Sequence, residues 1–284
     1  MVTNAEYAKR KAKAAQKAHP TAIRRVILKL LETGALSWLF ILVIWQLASL
    51  ASLPDFLPGP LSVFEGFRYL LANGTLLKFI GVSFLRIIAG WFLGSLIGIP
   101  IGILMGRLRP IKVFVDPILN FFRFIPAIGF LTLFMLWFGV GESAKLVLIM
   151  YATAFLVVLN TAAGVASVPE EKIRAARSLG ASETQTIFHV VIPASISAIF
   201  TGERLAMGNS FGAIVGAEML AANSGVGYLI WTARLYFKTP WIFVGLISLG
   251  IMGFLTDRLL VLLAVKVLGR YGTAQSTGNN DGHS

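Results

Sequence analysis

Apolar residues form six long runs along this chain, and polar residues gather in the connections between them. A helix needs about 20 apolar residues to cross the hydrocarbon core of a bilayer, and most of the runs reach that length. We predict transmembrane helices over Leu36–Leu53, Ser83–Met105, Phe124–Val140, Leu146–Val165, Ile196–Ala222 and Trp241–Val265, of which the third is the shortest. The pattern therefore predicts an all-α fold in a multi-pass (polytopic) membrane protein.

The composition agrees with this pattern. Hydrophobic residues make up 56% of the 284 residues and charged residues 13%, whereas soluble domains average roughly 45–50% and about 25%. The chain has no cysteine, and its three histidines lie outside the apolar runs. No G-x-x-x-x-G-K-[ST] sequence occurs, so any ATP must be bound by another polypeptide. We therefore expect no catalytic site, metal or cofactor in this chain, and an intramembrane enzyme lacks the catalytic set that it would need.

The formal net charge of +12 is explained by membrane topology. If both termini are cytoplasmic, 17 of the 25 Lys and Arg residues lie in cytoplasmic segments, 5 lie outside and 3 lie within spans. The positive-inside rule describes this distribution, and it removes the need for a nucleic-acid partner. Residues 1–35 are basic, and we predict there a cytoplasmic tail with an amphipathic helix on the lipid surface or, alternatively, a solvated helix. Residues 36–270 hold the membrane domain, and the polar residues 271–284 predict a disordered tail.

Glycine recurs at every fourth position in the second predicted span. The five positions are Gly90, Gly94, Gly98, Gly102 and Gly106. Small residues at this spacing make a smooth groove along one side of a helix, and membrane helices pack closely in such grooves. A shorter row in the fifth span consists of Gly208, Gly212 and Gly216. The alternative explanation is a chance excess of glycine, which five residues in register make a poor one.

Charged residues inside the predicted spans are candidates for a transport path. The four that we single out are Arg86, Glu203, Arg204 and Glu218, and Asp257 and Arg258 lie near the inner end of the sixth span. Ionisable residues within spans usually face a bundle interior or a water-filled cavity. These residues either line the path or form salt bridges that fasten helices together, and the sequence leaves both interpretations open.

The longest predicted cytoplasmic connection, within residues 166–193, has the signals of two helices joined by a turn. Ser167-x-x-Glu170 fits a capping box, Gly180 fits a helix end, and Ser182-x-x-Gln185 fits a second capping box. We expect Pro193 to end this unit. Alanines near the turn give a small, smooth surface that suits insertion into a partner's groove, although an ordinary surface hairpin has the same signals.

The stretch from Arg174 to Gly180, followed nine residues later by Val190-Val191-Ile192-Pro193, resembles the EAA loop of ABC importer permeases. That pattern reads E-A-A-x3-G-x9-I-x-L-P. Ala175, Ala176, Gly180 and Pro193 match it, while Arg174 stands where the pattern has Glu. The residues that the resemblance assigns to coupling with an ATPase are Glu170, Glu171, Arg174, Ala175, Ala176, Arg177, Leu179, Gly180, Ala181 and Pro193.

Other stretches are similar to permeases of the taurine, aliphatic sulfonate and nitrate group. They include Leu136–Lys145, Gly202–Gly208, Ala217–Leu220 and Gly225–Tyr228, and the resemblance covers roughly Leu57 to Val265. Glu203 departs from the group, which usually has an apolar residue at this position.

The resemblance implies a type I ABC importer permease fold in a bacterial inner membrane, with both termini cytoplasmic. It also implies three kinds of protein partner: a second permease copy, most simply in a homodimer, two ATPase subunits that bind ATP and Mg²⁺, and an extracytoplasmic solute-binding protein. The expected solute is a small anion such as taurine, an aliphatic sulfonate or nitrate. The alternatives are a permease for a pyrimidine or thiamine precursor and an ATP-independent secondary transporter.

Overall fold

A computed structural model of the chain describes residues 35–53 and 55–268. Their regular structure is helical, with no strand among the described residues, which confirms the all-α fold. The helices are α1 (Ala35–Leu50), α2 (Pro60–Ala72), α3 (Thr75–Arg107), α4 (Arg109–Phe122), α5 (Leu131–Phe138), α6 (Glu142–Ala166), α7 (Glu170–Ser178), α8 (Glu183–Thr186), α9 (Ile192–Ala221), α10 (Val226–Leu235) and α11 (Thr239–Leu268). Apart from Ala35, the tails predicted for residues 1–35 and 271–284 lie outside the described residues, so both stay predictions.

Among the described residues, four helical segments are long and apolar enough to cross a membrane. They cover four of the six predicted spans, except that the fifth ends at Ala221 instead of Ala222. These segments are α3, α6, the continuous stretch from α8 through α9, and α11. At 33 residues, α3 is about 50 Å long and extends beyond a hydrocarbon core of about 30 Å. Pro100 lies inside α3 without ending the helix.

The predicted third span, Phe124–Val140, is not one helix. A four-residue 3-10 turn, Ala127–Phe130, leads into α5, and this pair meets α4 at an angle of 88°. The break falls at Pro126, which has extended backbone dihedrals of φ −56° and ψ 131°. Proline lacks an amide hydrogen and disfavours helix at the residue before it, so Pro126 favours the break here, whereas Pro100 of α3 and Pro117 of α4 are accommodated inside their helices.

The described residues fall into two compact units, with the division after Ser62. In the first unit, α1 takes the place of the predicted first span but ends at Leu50 instead of Leu53. Its 16 residues are about 24 Å long. The indole Nε1 of Trp45 donates a hydrogen bond to the carbonyl of Pro58 at 3.0 Å. The described residues thus contain four long spans, the bent pair and the shorter apolar helix α1. Together these make six apolar segments, the number that the sequence predicts.

The glycine row of α3 packs against α6, as the spacing predicts. Five β-branched residues of α6, also four apart, lie in the groove: Ile149, Thr153, Val157, Thr161 and Val165. A Cβ atom added at each glycine would lie only 2.5–2.9 Å from the Cβ of the facing residue. Cβ atoms do not approach one another so closely, so the distance between the two helices depends on glycine at these positions.

The second glycine row is different. A Cβ atom at Gly208 or Gly212 would meet no described atom within 4 Å, while one at Gly216 would contact Ile128. Most of the row therefore faces open space. The other side of α9 packs against α6, where Gly202 lies against Asn160. The spans α3, α6 and α9 thus form the packed centre of the second unit.

Candidate functional site

The two short helices α7 and α8, with the turn between them, form a hairpin at one end of the second unit. Gly180 has a φ of 85°, a left-handed conformation that glycine adopts without strain. The predicted capping box at the second helix is confirmed: Gln185 N donates to Ser182 Oγ at 3.2 Å, and Ser182 N donates to Gln185 Oε1 at 2.8 Å. Two acidic residues occupy the first turn of α7, where the helix dipole favours negative charge.

Two predictions about this segment are wrong in detail. Ser167 does not cap α7, because its Oγ donates to the carbonyl of Gly164 at the end of α6, and Pro169 takes the cap position. Pro193 does not end the unit with a break in the helix. A π-helical turn over Ile187–Val191 joins α8 to α9, and Pro193 lies in the first turn of α9. Pro193 has no amide hydrogen to donate, and it directly follows the π-helical turn, in which the regular α-helical hydrogen bonding is already altered. The hairpin is therefore continuous with a transmembrane helix.

Buried apolar residues hold the hairpin against the membrane helices. Ile173 of α7 and Val191 of the π-helical turn pack in one cluster with Val165 and Val168, and Ile103 of α3 contacts it. On the outer side, Leu179 is 89% exposed, which makes it an apolar side chain projecting beside the turn. Arg174, Ala175, Arg177 and Gly180 are also exposed, as are Glu170 and Glu171, whereas Ala176, Ala181 and Pro193 are half-buried.

A salt-bridge network ties the hairpin to the end of α3. Arg107 Nε donates to Glu183 Oε1 at 3.0 Å, and Arg177 donates to the other oxygen of Glu183 at 2.5 Å. The guanidinium of Arg107 also lies 3.9 Å from the carboxylate of Glu170. The sequence does not predict Arg107 or Glu183 as site residues. In the sequence, the charge of Arg107 indicates only on which side of the membrane the connection lies.

At the opposite end of the spans, a second site brings four charged side chains together, three of which are buried. Arg86 donates to Glu218 at 2.8 Å and to both oxygens of Glu142 at 2.6 Å, and Lys145 donates to Glu142 at 2.7 Å. Arg86 is 6% exposed and Glu218 is 0% exposed. Both oxygens of the Glu218 carboxylate accept hydrogen bonds, and the hydroxyl of Ser83 is one of the donors to each of them. Because these opposite charges are buried and hydrogen-bonded to each other, the geometry favours for Arg86 and Glu218 a salt bridge that fastens helices together over a place in the transport path.

This cluster also fixes the connection between α9 and α10. Gly225 has a φ of 113°, and the carboxylate of Glu218 occupies the place that a Cβ atom would take there. The amide of Gly227 donates to Glu218 at 2.8 Å, and the amide of Val226 donates to Ser83 Oγ at 2.8 Å. A carboxylate at the start of α10 also suits the positive end of the helix dipole.

Glu203 and Arg204, the other two predicted path residues, lie apart from the cluster and point in different directions. Arg204 forms a two-bond ion pair with Asp257 of α11, with both distances 2.8 Å. This pair lies at an open groove of about 570 Å³ between α9 and α11, which Gly208 and Gly212 also line. Glu203 instead lies against α3, where Ser95 Oγ donates to its carboxylate at 2.6 Å.

Known proteins are similar to this chain in sequence and in fold. Residues 98–269 match the family described as "Binding-protein-dependent transport system inner membrane component". The chain is 40% identical over 204 residues to the "Probable ABC transporter permease protein BMEII0107" of Brucella melitensis, covering 72% of this chain and 83% of that protein. It is 34% identical over 251 residues to the taurine transport system permease protein TauC of Escherichia coli, covering 86% and 91%. A solved structure of the MetNI methionine ABC transporter has the same fold, with a TM-score of 0.57 and 20% identity over 66% of this chain and 96% of that one.

Proposed function

The chain belongs to the family of binding-protein-dependent transport system inner membrane components, and we propose that it receives the work of ATP hydrolysis at the hairpin of α7 and α8. It is a membrane permease of the ABC, binding-protein-dependent type. The two properties proposed for it are the surface through which the ATPase moves the permease and the solute that the permease transports.

The observation that carries the proposal is the mechanical continuity of the hairpin with the spans. An exposed leucine, Leu179, projects beside the turn, and a helix of a partner can bury it together with the small surface of Ala175 and Ala176. The buried side of the hairpin packs on α3 and α6, and α8 continues into α9. Displacement of the exposed surface therefore moves the membrane helices, since the hairpin cannot pivot freely between them.

The proposed assembly follows the family. Two copies of this permease, or one copy and a related permease, enclose the path, and two ATPase subunits that bind ATP and Mg²⁺ contact the hairpins. A solute-binding protein delivers the solute from the other face. The hairpin end and both termini are then cytoplasmic, in a bacterial inner membrane, which agrees with the positive charge of the connections.

The proposed solute is a small anion, of the kind that taurine, aliphatic sulfonates and nitrate exemplify. The relative TauC is a taurine transport system permease, and the groove beside Arg204 gives this chain an exposed guanidinium within the membrane domain. The alternative solute is a pyrimidine or thiamine precursor.

Cross-linking tests the coupling surface directly, because the chain has no native cysteine. We expect the variant Ala176→Cys to cross-link to the ATPase subunit in the assembled complex, and the cross-link to depend on the nucleotide state. The matched control is Asn223→Cys, an exposed position at the other end of α9, which should give no cross-link. Failure of Ala176→Cys in a complex that retains its ATPase would remove the hairpin from the coupling role.

A further inference from the structure

Glu203 is a buried carboxyl group with an incomplete set of partners. It lies in the span α9 against α3 and is 8% exposed. Ser95 Oγ donates to Oε2 at 2.6 Å, whereas Oε1 is buried and has no hydrogen-bond partner in the described part of the chain. Trp91 lies one turn from Ser95 and donates its indole hydrogen to the backbone carbonyl of Glu203 at 3.2 Å. Two residues of α3 therefore contact Glu203.

No described basic group compensates a negative charge at this position. On α3, Arg86 and Arg107 are nine and twelve residues from Ser95, or about 14 and 18 Å along the helix axis. Both are committed elsewhere: Arg86 binds Glu218 and Glu142, and Arg107 binds Glu183. Glu203 itself forms no ion pair with any residue that the structure describes.

The other neighbouring helices also supply no cation. The α6 residue beside Gly202 is the neutral Asn160. The charged residues of α6, Glu142 and Lys145, pair with each other at its far end, and the hydroxyl of Tyr151 donates to the carbonyl of Phe122. On α9, Arg204 turns to Asp257 of α11. The remaining cation of α11 at this level, Arg258, lies 5.0 Å from the ring centre of Phe254.

An ionised carboxylate buried without a counter-charge is far more costly than the neutral acid. In the neutral form the proton lies on Oε2 and is donated to Ser95 Oγ, so only the carbonyl-type oxygen Oε1 has no described partner, which is an ordinary cost for a buried polar atom. The oxygens of Glu203 and Ser95 are also too few to hold a metal cation, which takes six or more oxygen ligands when it is Ca²⁺ or Mg²⁺. A proton is therefore the ligand that fits this site.

We propose that Glu203 is a proton-binding site, at which the carboxyl is neutral while α3 packs on α9 and ionises when the two helices separate. The packed form binds one more proton than the separated or unfolded form. Raising the pH therefore weakens the packing of α3 on α9, and lowering the pH strengthens it. Neither the solute nor the coupling to the ATPase enters this protonation equilibrium.

Equilibrium unfolding of the purified full chain in detergent, as a function of pH, tests the proposal with the variant Glu203→Gln. Above the ordinary range of glutamate, the unfolded wild type releases the proton that the folded form retains, so its folding equilibrium constant falls by up to tenfold per pH unit. The amide has no proton to lose. We expect the two proteins to be similar in stability at roughly pH 4 and the variant to become progressively more stable relative to the wild type as pH rises.

The matched control is Glu142→Gln. Glu142 is 59% exposed and accepts hydrogen bonds from Arg86 and Lys145, so its removal should cost stability at high pH, with the opposite sign. A ratio of stabilities between wild type and Glu203→Gln that does not change with pH would overturn the proposal. Failure of Glu203→Gln to fold would overturn it as well, because a neutral amide replaces a neutral acid of the same shape.

Infrared spectroscopy gives an independent readout at neutral pH. The wild type should show the carbonyl stretching band of a protonated carboxylic acid that is shielded from exchange with solvent. The band should be absent from Glu203→Gln and present in Glu142→Gln. A wild-type spectrum without that band, or one in which the band survives in Glu203→Gln, would contradict the assignment.

Discussion

Replacing Gly94 by leucine is expected to prevent the chain from forming a stable membrane protein. A Cβ atom at Gly94 would lie 2.7 Å from the Cβ of Thr153 and 2.8 Å from the backbone oxygen of Met150. Neither atom belongs to the flexible end of a side chain, so the backbones of α3 and α6 must move apart. Overpacking of a tight contact costs typically about 1–3 kcal/mol, and separating two helices along their whole contact should exceed that range.

The control for this variant lies on the same helix. Gly81 of α3 has no described atom within 4 Å of an added Cβ, so Gly81→Leu should leave yield and thermal stability close to those of the wild type. The measurement is the yield of monodisperse protein in detergent, together with its midpoint of thermal unfolding. Equal effects of the two substitutions would show that the glycine row does not set the distance between the helices.

Replacing Arg86 by methionine is expected to destabilise the protein by about 3–5 kcal/mol, the usual cost of leaving a buried charge without its partner. Glu218 is fully buried, and Arg86 supplies its only ion pair among the described residues. Methionine preserves much of the volume and removes the positive charge. The additional change Glu218→Gln removes the stranded negative charge, so the double variant should recover part of the lost stability.

An exposed ion pair supplies the comparison. Arg204 and Asp257 are 41% and 40% exposed and lie at the open groove between α9 and α11. Ion pairs that water reaches typically contribute at most about 1 kcal/mol. Arg204→Met should therefore reduce stability much less than Arg86→Met, as measured by denaturant unfolding of both variants under the same conditions. A similar loss in the two variants, or no recovery in the double variant, would contradict the structural role of the buried cluster.

The sequence carries strong signals for the features that depend on local spacing. The four-residue period of glycine in α3 predicts a close helix contact, and Gly180 with Ser182-x-x-Gln185 predicts the turn and the start of α8. The partner helix of the glycine row is not predictable in the same way. Thr153 and Val157 of α6 contribute only to a general apolar pattern, and nothing in one sequence links their register to that of α3.

The candidate site shows the same limit in its charges. Arg86, Glu203, Arg204 and Glu218 stand out equally as ionisable residues within spans, and their partners decide what each one does. Arg86 and Glu218 are 132 positions apart in the chain, yet they share a hydrogen bond. Adjacent residues on α9 face different helices, since successive positions on an α-helix are about 100° apart. Glu203 consequently meets Ser95, whereas Arg204 meets Asp257.

The central proposal is that this permease moves its solute only when an ATPase subunit drives it. The direct measurement is uptake of radiolabelled taurine, an alkanesulfonate and nitrate into proteoliposomes that contain the chain alone, or the chain with its ATPase subunit and solute-binding protein. We predict ATP-dependent uptake of one of these anions by the complete assembly and none by the chain alone. Uptake by the chain alone along an ion gradient, independent of ATP, would contradict the account.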